Sequence, residues 1–126
     1  MLSPAANALL APVAEIDGFR LASLVDAATG MVVSSAAADP EDPSLAAVAA
    51  GAADIVTVLS LLSSELGADD GLEDVMVTFG SRFHLIRHVR SDSAQPVVLL
   101  VVLDRSRANL ALARREIRDF CEGFAS

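Results

Sequence analysis

From Ser44 to Leu66 the chain reads SLAAVAAGAADIVTVLSLLSSEL. Within it Leu45, Val48, Ala52, Ile55, Leu59, Leu62 and Leu66 recur at alternating steps of three and four residues. That spacing draws one continuous apolar stripe along an α-helix of about six turns. Val56, Val58 and Leu61 lie off the stripe, so the helix is apolar over more than half its girth. A helix wetted on its outer side would not need them. Ala46, Ala50, Gly51 and Ala53 form a small-residue patch that lets another backbone approach closely. Gly51 costs about 1 kcal/mol of helix propensity relative to Ala. The stretch therefore predicts a helix with a sheet on one side and another helix on the other. Ser44, or Asp42 just before Pro43, is its expected N-cap.

Upstream, Ser3 and Pro4 suit the start of a short first helix carrying Leu9, Leu10 and Val13, which Pro12 kinks or shortens. Asp17-Gly18 marks a turn. Phe19–Val25 and Met31–Ser35 read as strands joined through Asp26-Ala27-Ala28-Thr29-Gly30, a hairpin with a glycine-containing loop. Downstream, Gly67 to Gly71 ends the long helix. Asp74–Phe79 reads as a strand with Val75, Val77 and Phe79 on one face, and Gly80-Ser81 as a tight turn. Arg82–Arg90 alternates: Phe83, Leu85 and Val89 point one way, Arg82, His84, Ile86, His88 and Arg90 the other. Arg87 falls among the core-facing positions, which places it near a sheet edge or reaching out by its aliphatic stem. Ser91–Gln95 is a polar turn and Pro96 begins the last strand. Val97–Leu103 is apolar without alternation, so it is expected to be central and covered on both faces. Asp104 or Ser106 is the expected cap of a final helix with a core stripe of Leu110, Ala113, Ile117, Phe120 and Phe124.

The expected architecture is thus α/β (α+β), in the order α-β-β-α-β-β-β-α. A five-stranded, mainly antiparallel sheet carries helices on both faces. The length of 126 residues suits one domain over residues 1–126.

Composition excludes several function classes. The net charge is −8, contrary to the basic charge that nucleic-acid backbones and acidic membranes attract. All nine basic residues are arginine. Without lysine there is no Schiff base and no P-loop lysine. Neither G-x-x-x-x-G-K-[ST], G-x-G-x-x-G nor G-x-S-x-G occurs. We therefore expect no enzyme, no cofactor and no metal. The single Cys121, beside Phe120, is expected to be a buried and inert thiol, in keeping with a reducing compartment. The N-terminus lacks the basic and continuous apolar segments of a signal peptide, and no apolar run is long enough for a membrane helix. The expected location is the cytoplasm. Apolar residues reach 53%, above the usual ~45–50%, an excess that suits a buried subunit interface.

Few side chains suggest chemistry. His84 and His88 share a strand face but lie roughly 13 Å apart at about 3.3 Å per residue, too far to share one metal ion. Arg82, His84, His88 and Arg90 make a basic row in an acidic chain, either a solvated strand face or a contact for an acidic partner. Asp69, Asp70, Glu73 and Asp74 do not have the spacing of an EF-hand loop and read as a charged loop.

Three strings, in this order of elements, resemble the roadblock/LC7 family, especially its short bacterial members. They are Ile16-Asp17-Gly18-Phe19 followed by a strand and Asp26-Ala27-Ala28-Thr29-Gly30, the long helix from Ser44 to Leu66, and Arg107-Ala108-Asn109-Leu110-Ala111-Leu112-Ala113-Arg114 after an apolar strand. Together the resemblance covers about Ile16 to Phe120, and Pro12 departs from the family's first helix. It implies a profilin-like sheet and homo- or heterodimers whose third strands pair edge to edge while the long helices pack side by side. It also implies a regulator or scaffold for Ras-like small GTPases or their signalling complexes. The apolar girth of the long helix and a free edge at Val75–Phe79 would both be covered by such pairing.

On this basis the expected dimer residues are Ile55, Leu59, Leu62, Val75 and Val77, and the expected partner-binding residues are Arg82, His84 and Arg87. Action on a GTPase would come from holding its loops in place or from Arg82 supplied in trans. The alternatives are a small-molecule-sensing PAS- or profilin-like module, whose cavity would need Phe79, Phe83 and the sheet, and a structural subunit pairing with another roadblock protein.

Overall fold

A computed structural model describes residues 9–65, 72–90 and 97–125. The elements are α1 (Ala11–Ala14), β1 (Phe19–Asp26), β2 (Val32–Ala37), α2 (Leu45–Glu65), β3 (Asp74–Thr78), β4 (Arg82–Arg90), β5 (Val97–Asp104) and α3 (Leu110–Ala125). Their order is the expected one. Ser3, Pro4, the Gly67–Gly71 break and the Ser91–Pro96 turn lie outside the described residues.

The five strands form one sheet in the order β2-β1-β5-β4-β3, every pair antiparallel. Six successive residues of β5, Val98 to Leu103, are almost wholly buried, as an apolar run without alternation requires. β2 and β3 are the two edges.

One face of the sheet carries α1 and α3. Leu24, Leu85, Leu99, Val101 and Leu103 from the strands meet Leu10, Val13 and Ile16 near α1, and Ala113, Ile117 and Cys121 from α3. Pro12 stands in the first turn of α1, where a missing amide proton costs nothing, and that helix is a single turn. The cap of α3 is neither Asp104 nor Ser106. The Leu112 amide donates to Asn109 Oδ1 at 3.1 Å, so Asn109 caps the helix. Asp104 closes β5 instead: its carbonyl accepts from Ala108 at 3.0 Å and its carboxylate pairs with Arg20 at 3.2 Å.

The other face carries α2 and corrects one expectation. The row of α2 that meets the sheet is Ala49, Ala52, Ala53 and Val56, packed on Leu21, Val25, Ile86, Val98, Leu100 and Val102. The larger stripe through Val48, Ile55 and Leu59 is turned about a quarter of the way round the helix and is only partly covered. Alanines thus bring the helix backbone close to the sheet, and the bulkier stripe lies to one side of that contact. The corrected expectation is that of β4: its row of Arg82, His84 and His88, read as either a solvated face or a contact for an acidic partner, lies on the sheet face of the core beneath α2. Ile86 is fully buried there, and His84 and His88 are half-buried.

Two glycines set turns that other residues resist. Gly30 has φ +77° and closes the β1–β2 hairpin, donating its amide to the Asp26 carbonyl at 2.7 Å. Gly18 has φ +86°, and a Cβ there would stand 3.0 Å from the Asp104 carbonyl oxygen and 3.1 Å from the Ala108 nitrogen.

Candidate functional site

The free edge of β3 and the outer side of α2 frame one surface. The two-residue turn at Gly80-Ser81 pairs Val75 with Ile86 and Val77 with His84, so both valines lie on the α2 face. Between them and α2 runs a shallow groove of about 150 Å³, floored by Ile86 and Leu100 and walled by Val48, Gly51, Ile55, Val77, Phe79 and His84. Its rim is apolar and open: Ile55 is 37% exposed and Phe79 49%, while Val58 and Leu61, further round α2, are each 64% exposed. Leu59 is half-buried beside them. Leu62 lies within α2, but its side chain is outside the described residues. Four of the five expected dimer residues therefore line or adjoin one surface.

Backbone groups extend that surface. The Phe79 amide donates to the Arg82 carbonyl at 2.9 Å. By the alternation of an antiparallel pair, Val77 and Val75 also bond inward, leaving the N–H and C=O groups of Met76 and Thr78 directed at the free edge. Met76 is 42% exposed.

The groove's histidine is held in its neutral form. The His84 ring lies 4.7 Å from the Phe79 ring, and burial, helped by the Arg82 charge, lowers its pKa. Burial also lowers His88, whose Nδ1 has no hydrogen-bond partner among the described residues. An unfolded chain takes up these protons as pH falls below the ordinary value of 6.5, while the folded chain resists until its lower values are reached. Stability is therefore full above pH 6.5 and declines below it, through a window that opens before the carboxylates titrate. Denaturant melts at pH 7.5 and 5.5 should show the lower midpoint at 5.5, and His84→Gln/His88→Gln should shrink that difference. A midpoint that does not move would refute the assignment.

The expected partner-binding trio does not form one patch. Arg82 and His84 are on the α2 face, whereas Arg87 is on the α3 face, where its guanidinium lies 3.9 Å from the Asp74 carboxylate. Arg82 opens β4 near the start of α2. There Asp42 is held below the usual carboxylate value by the Ser44 hydroxyl at 2.6 Å and amide at 2.9 Å, with the Arg82 and Arg20 charges adding to it. The Ser44 carbonyl accepts the first helical bond of α2, from Val48 at 2.9 Å. Nor do Phe79 and Phe83 line a common cavity. Phe79 is in the α2-side groove, and Phe83 packs in the α3-side core with the Arg105 guanidinium 5.3 Å from its ring centroid.

The remaining chemistry is sparse. Burial pushes the Cys121 thiol up to about 11, so it is not a nucleophile at neutral pH. Among the described residues no group of three or more His, Cys, Asp or Glu could hold a metal ion, and no helix is long and apolar enough to cross a membrane.

No protein-family model matches the sequence, and no curated protein matches it significantly. Solved structures do match, and they give the chain the roadblock/LC7 fold. A roadblock/LC7 domain from Streptomyces avermitilis superposes with a TM-score of 0.76 at 19% identity, over 93% of this chain and 92% of that one. The gliding protein MglB of Thermus thermophilus gives 0.79 at 20% identity, over 95% of this chain and 85% of that one. An MglB described in a tetrameric arrangement gives 0.79 at 20%, over 96% and 85%.

Proposed function

We propose that the chain is a non-catalytic, homodimeric regulator or scaffold of the roadblock/LC7 family that acts in the cytoplasm on a Ras-like small GTPase or its signalling complex. The observation that carries the dimer is the apolar groove of α2 and β3 lying beside an unpaired strand edge. A two-fold axis through that edge would join two sheets, bring the two α2 helices together and cover Ile55, Val58, Leu59 and Leu61. The reading as a GTPase regulator rests on the fold it shares with roadblock/LC7 and MglB structures.

The test is a titration of the purified chain against each Ras-like GTPase of its own genome, loaded with GDP or a GTP analogue and read by light scattering. A defined complex with one of them supports the reading, and no complex in either nucleotide state overturns it. If a GTPase is stimulated, the Arg82→Ala variant separates the two mechanisms. Holding the GTPase's loops in place predicts a rate within about threefold of the unsubstituted chain, whereas an arginine supplied in trans predicts a loss of about 10³-fold or more.

A further inference from the structure

On the sheet face opposite the dimer groove, a second cleft of about 330 Å³ opens between the start of β3, β4 and α3. Arg87, Arg114, Arg115 and Arg118 line it together with Glu73 and Asp74, and Ala111 leaves it room. Four of the nine arginines of a chain with net charge −8 thus converge on one recess.

The recess already holds one carboxylate. Both oxygens of Asp74 accept from Arg114 Nη2, at 2.9 and 3.2 Å, and Arg87 approaches the same group at 3.9 Å. Asp74 occupies those two guanidinium groups. Arg115 and Arg118 sit one turn apart on α3, on the same side of the helix, and neither has a hydrogen-bond or ion-pair partner among the described residues. A guanidinium presents a planar fork of donors that matches a carboxylate.

We infer that this cleft is a docking site for a carboxylate-rich segment of a partner protein, received by Arg115 and Arg118 beside the Asp74–Arg114–Arg87 cluster. The charge balance selects that partner over other anions. A net charge of −8 repels a long polyanion such as nucleic acid or an acidic bilayer more than a short segment that places only a few carboxylates in the cleft. Glu73, which lines the same cleft and has no ion-pair partner among the described residues, penalises a doubly charged phosphate more than a singly charged carboxylate. The inference is independent of the dimer, because Asp74 and Arg87 point away from the face that carries Val75 and Val77.

The test is fluorescence anisotropy of a labelled oligoglutamate peptide against the intact chain at low salt, with Arg115→Ala/Arg118→Ala as the variant. Both arginines are exposed, so the variant keeps its fold, and circular dichroism checks this. The expected result is binding that weakens with salt and falls about tenfold in the variant, with the mass in solution unchanged. Equal binding to both proteins, or to neither, would overturn the site. So would tighter binding of tripolyphosphate or of phosphatidylserine vesicles than of the peptide. A change in mass reports on the dimer, and a change in anisotropy on the cleft, so the two readings fail separately.

Discussion

Replacing Ile55 by glutamate is expected to turn the proposed dimer into a folded monomer. Ile55 forms a wall of the α2–β3 groove and is 37% exposed in the single chain, so a carboxylate there reaches solvent and costs the monomer about 1–2 kcal/mol in lost apolar contact. In the proposed dimer the same carboxylate is desolvated without a partner, twice per assembly, at several kcal/mol each. The dissociation constant should rise by about 10³-fold or more, which sedimentation velocity reads directly. Met76→Pro approaches the same interface through the backbone. It removes an amide directed at the free edge and spares the inward bonds of Val75 and Val77, a position where an edge strand tolerates proline. It too should yield a monomer. A dimer that survives both substitutions would place the interface elsewhere.

Among the described glycines, Gly18 is expected to tolerate alanine least. At φ +86° an L-residue pays about 1–2 kcal/mol. The added Cβ would also press on backbone atoms that cannot rotate away, the Asp104 carbonyl at 3.0 Å and the Ala108 nitrogen at 3.1 Å. The Gly18 carbonyl accepts the Asp104 amide at 2.8 Å, so relief by backbone movement loosens the junction of β1 with β5. A total near 2–4 kcal/mol follows, or roughly 10 °C in thermal midpoint. Gly123→Ala, in α3, is the control, since a Cβ there meets nothing within 4 Å. It should hold or raise the midpoint by helix propensity alone. Equal midpoints for Gly18→Ala and the unsubstituted chain would refute the close-approach argument.

The order of strands and helices is legible in the sequence because each element has its own period. The unalternating run of Val97–Leu103 announces the central strand, and Gly30 and Gly80-Ser81 the hairpins. What periodicity does not rank is two apolar rows on one helix. Both the Ile55 stripe and the alanine row of α2 are apolar; the sheet takes the smaller side chains because they allow closer contact. Arg82, His84 and His88 give the β4 face a solvated character, yet Ile86 between them marks where α2 overhangs it. The cap of α3 is ambiguous in sequence because Asp104, Ser106 and Asn109 all have capping side chains. Only the extension of β5 to Asp104 decides among them.

The candidate site is legible in part. Parity alone separates Arg82 and His84 from Arg87, and their shared basic character conceals that. The arginine cleft has a sequence signal as well: a two-residue turn at Gly80-Ser81 sets Asp74 opposite Arg87. Arg114, three residues after Ala111 on a helix of the same face, needs the tertiary structure to reach them.

The mass of the chain in solution, measured by light scattering after size exclusion alongside Leu59→Glu, tests the proposed dimer. One chain is 13.0 kDa. A roadblock-type dimer gives twice that mass for the unsubstituted protein and a folded species of one chain's mass for the variant. A monodisperse monomer of the unsubstituted protein at micromolar concentration would contradict it.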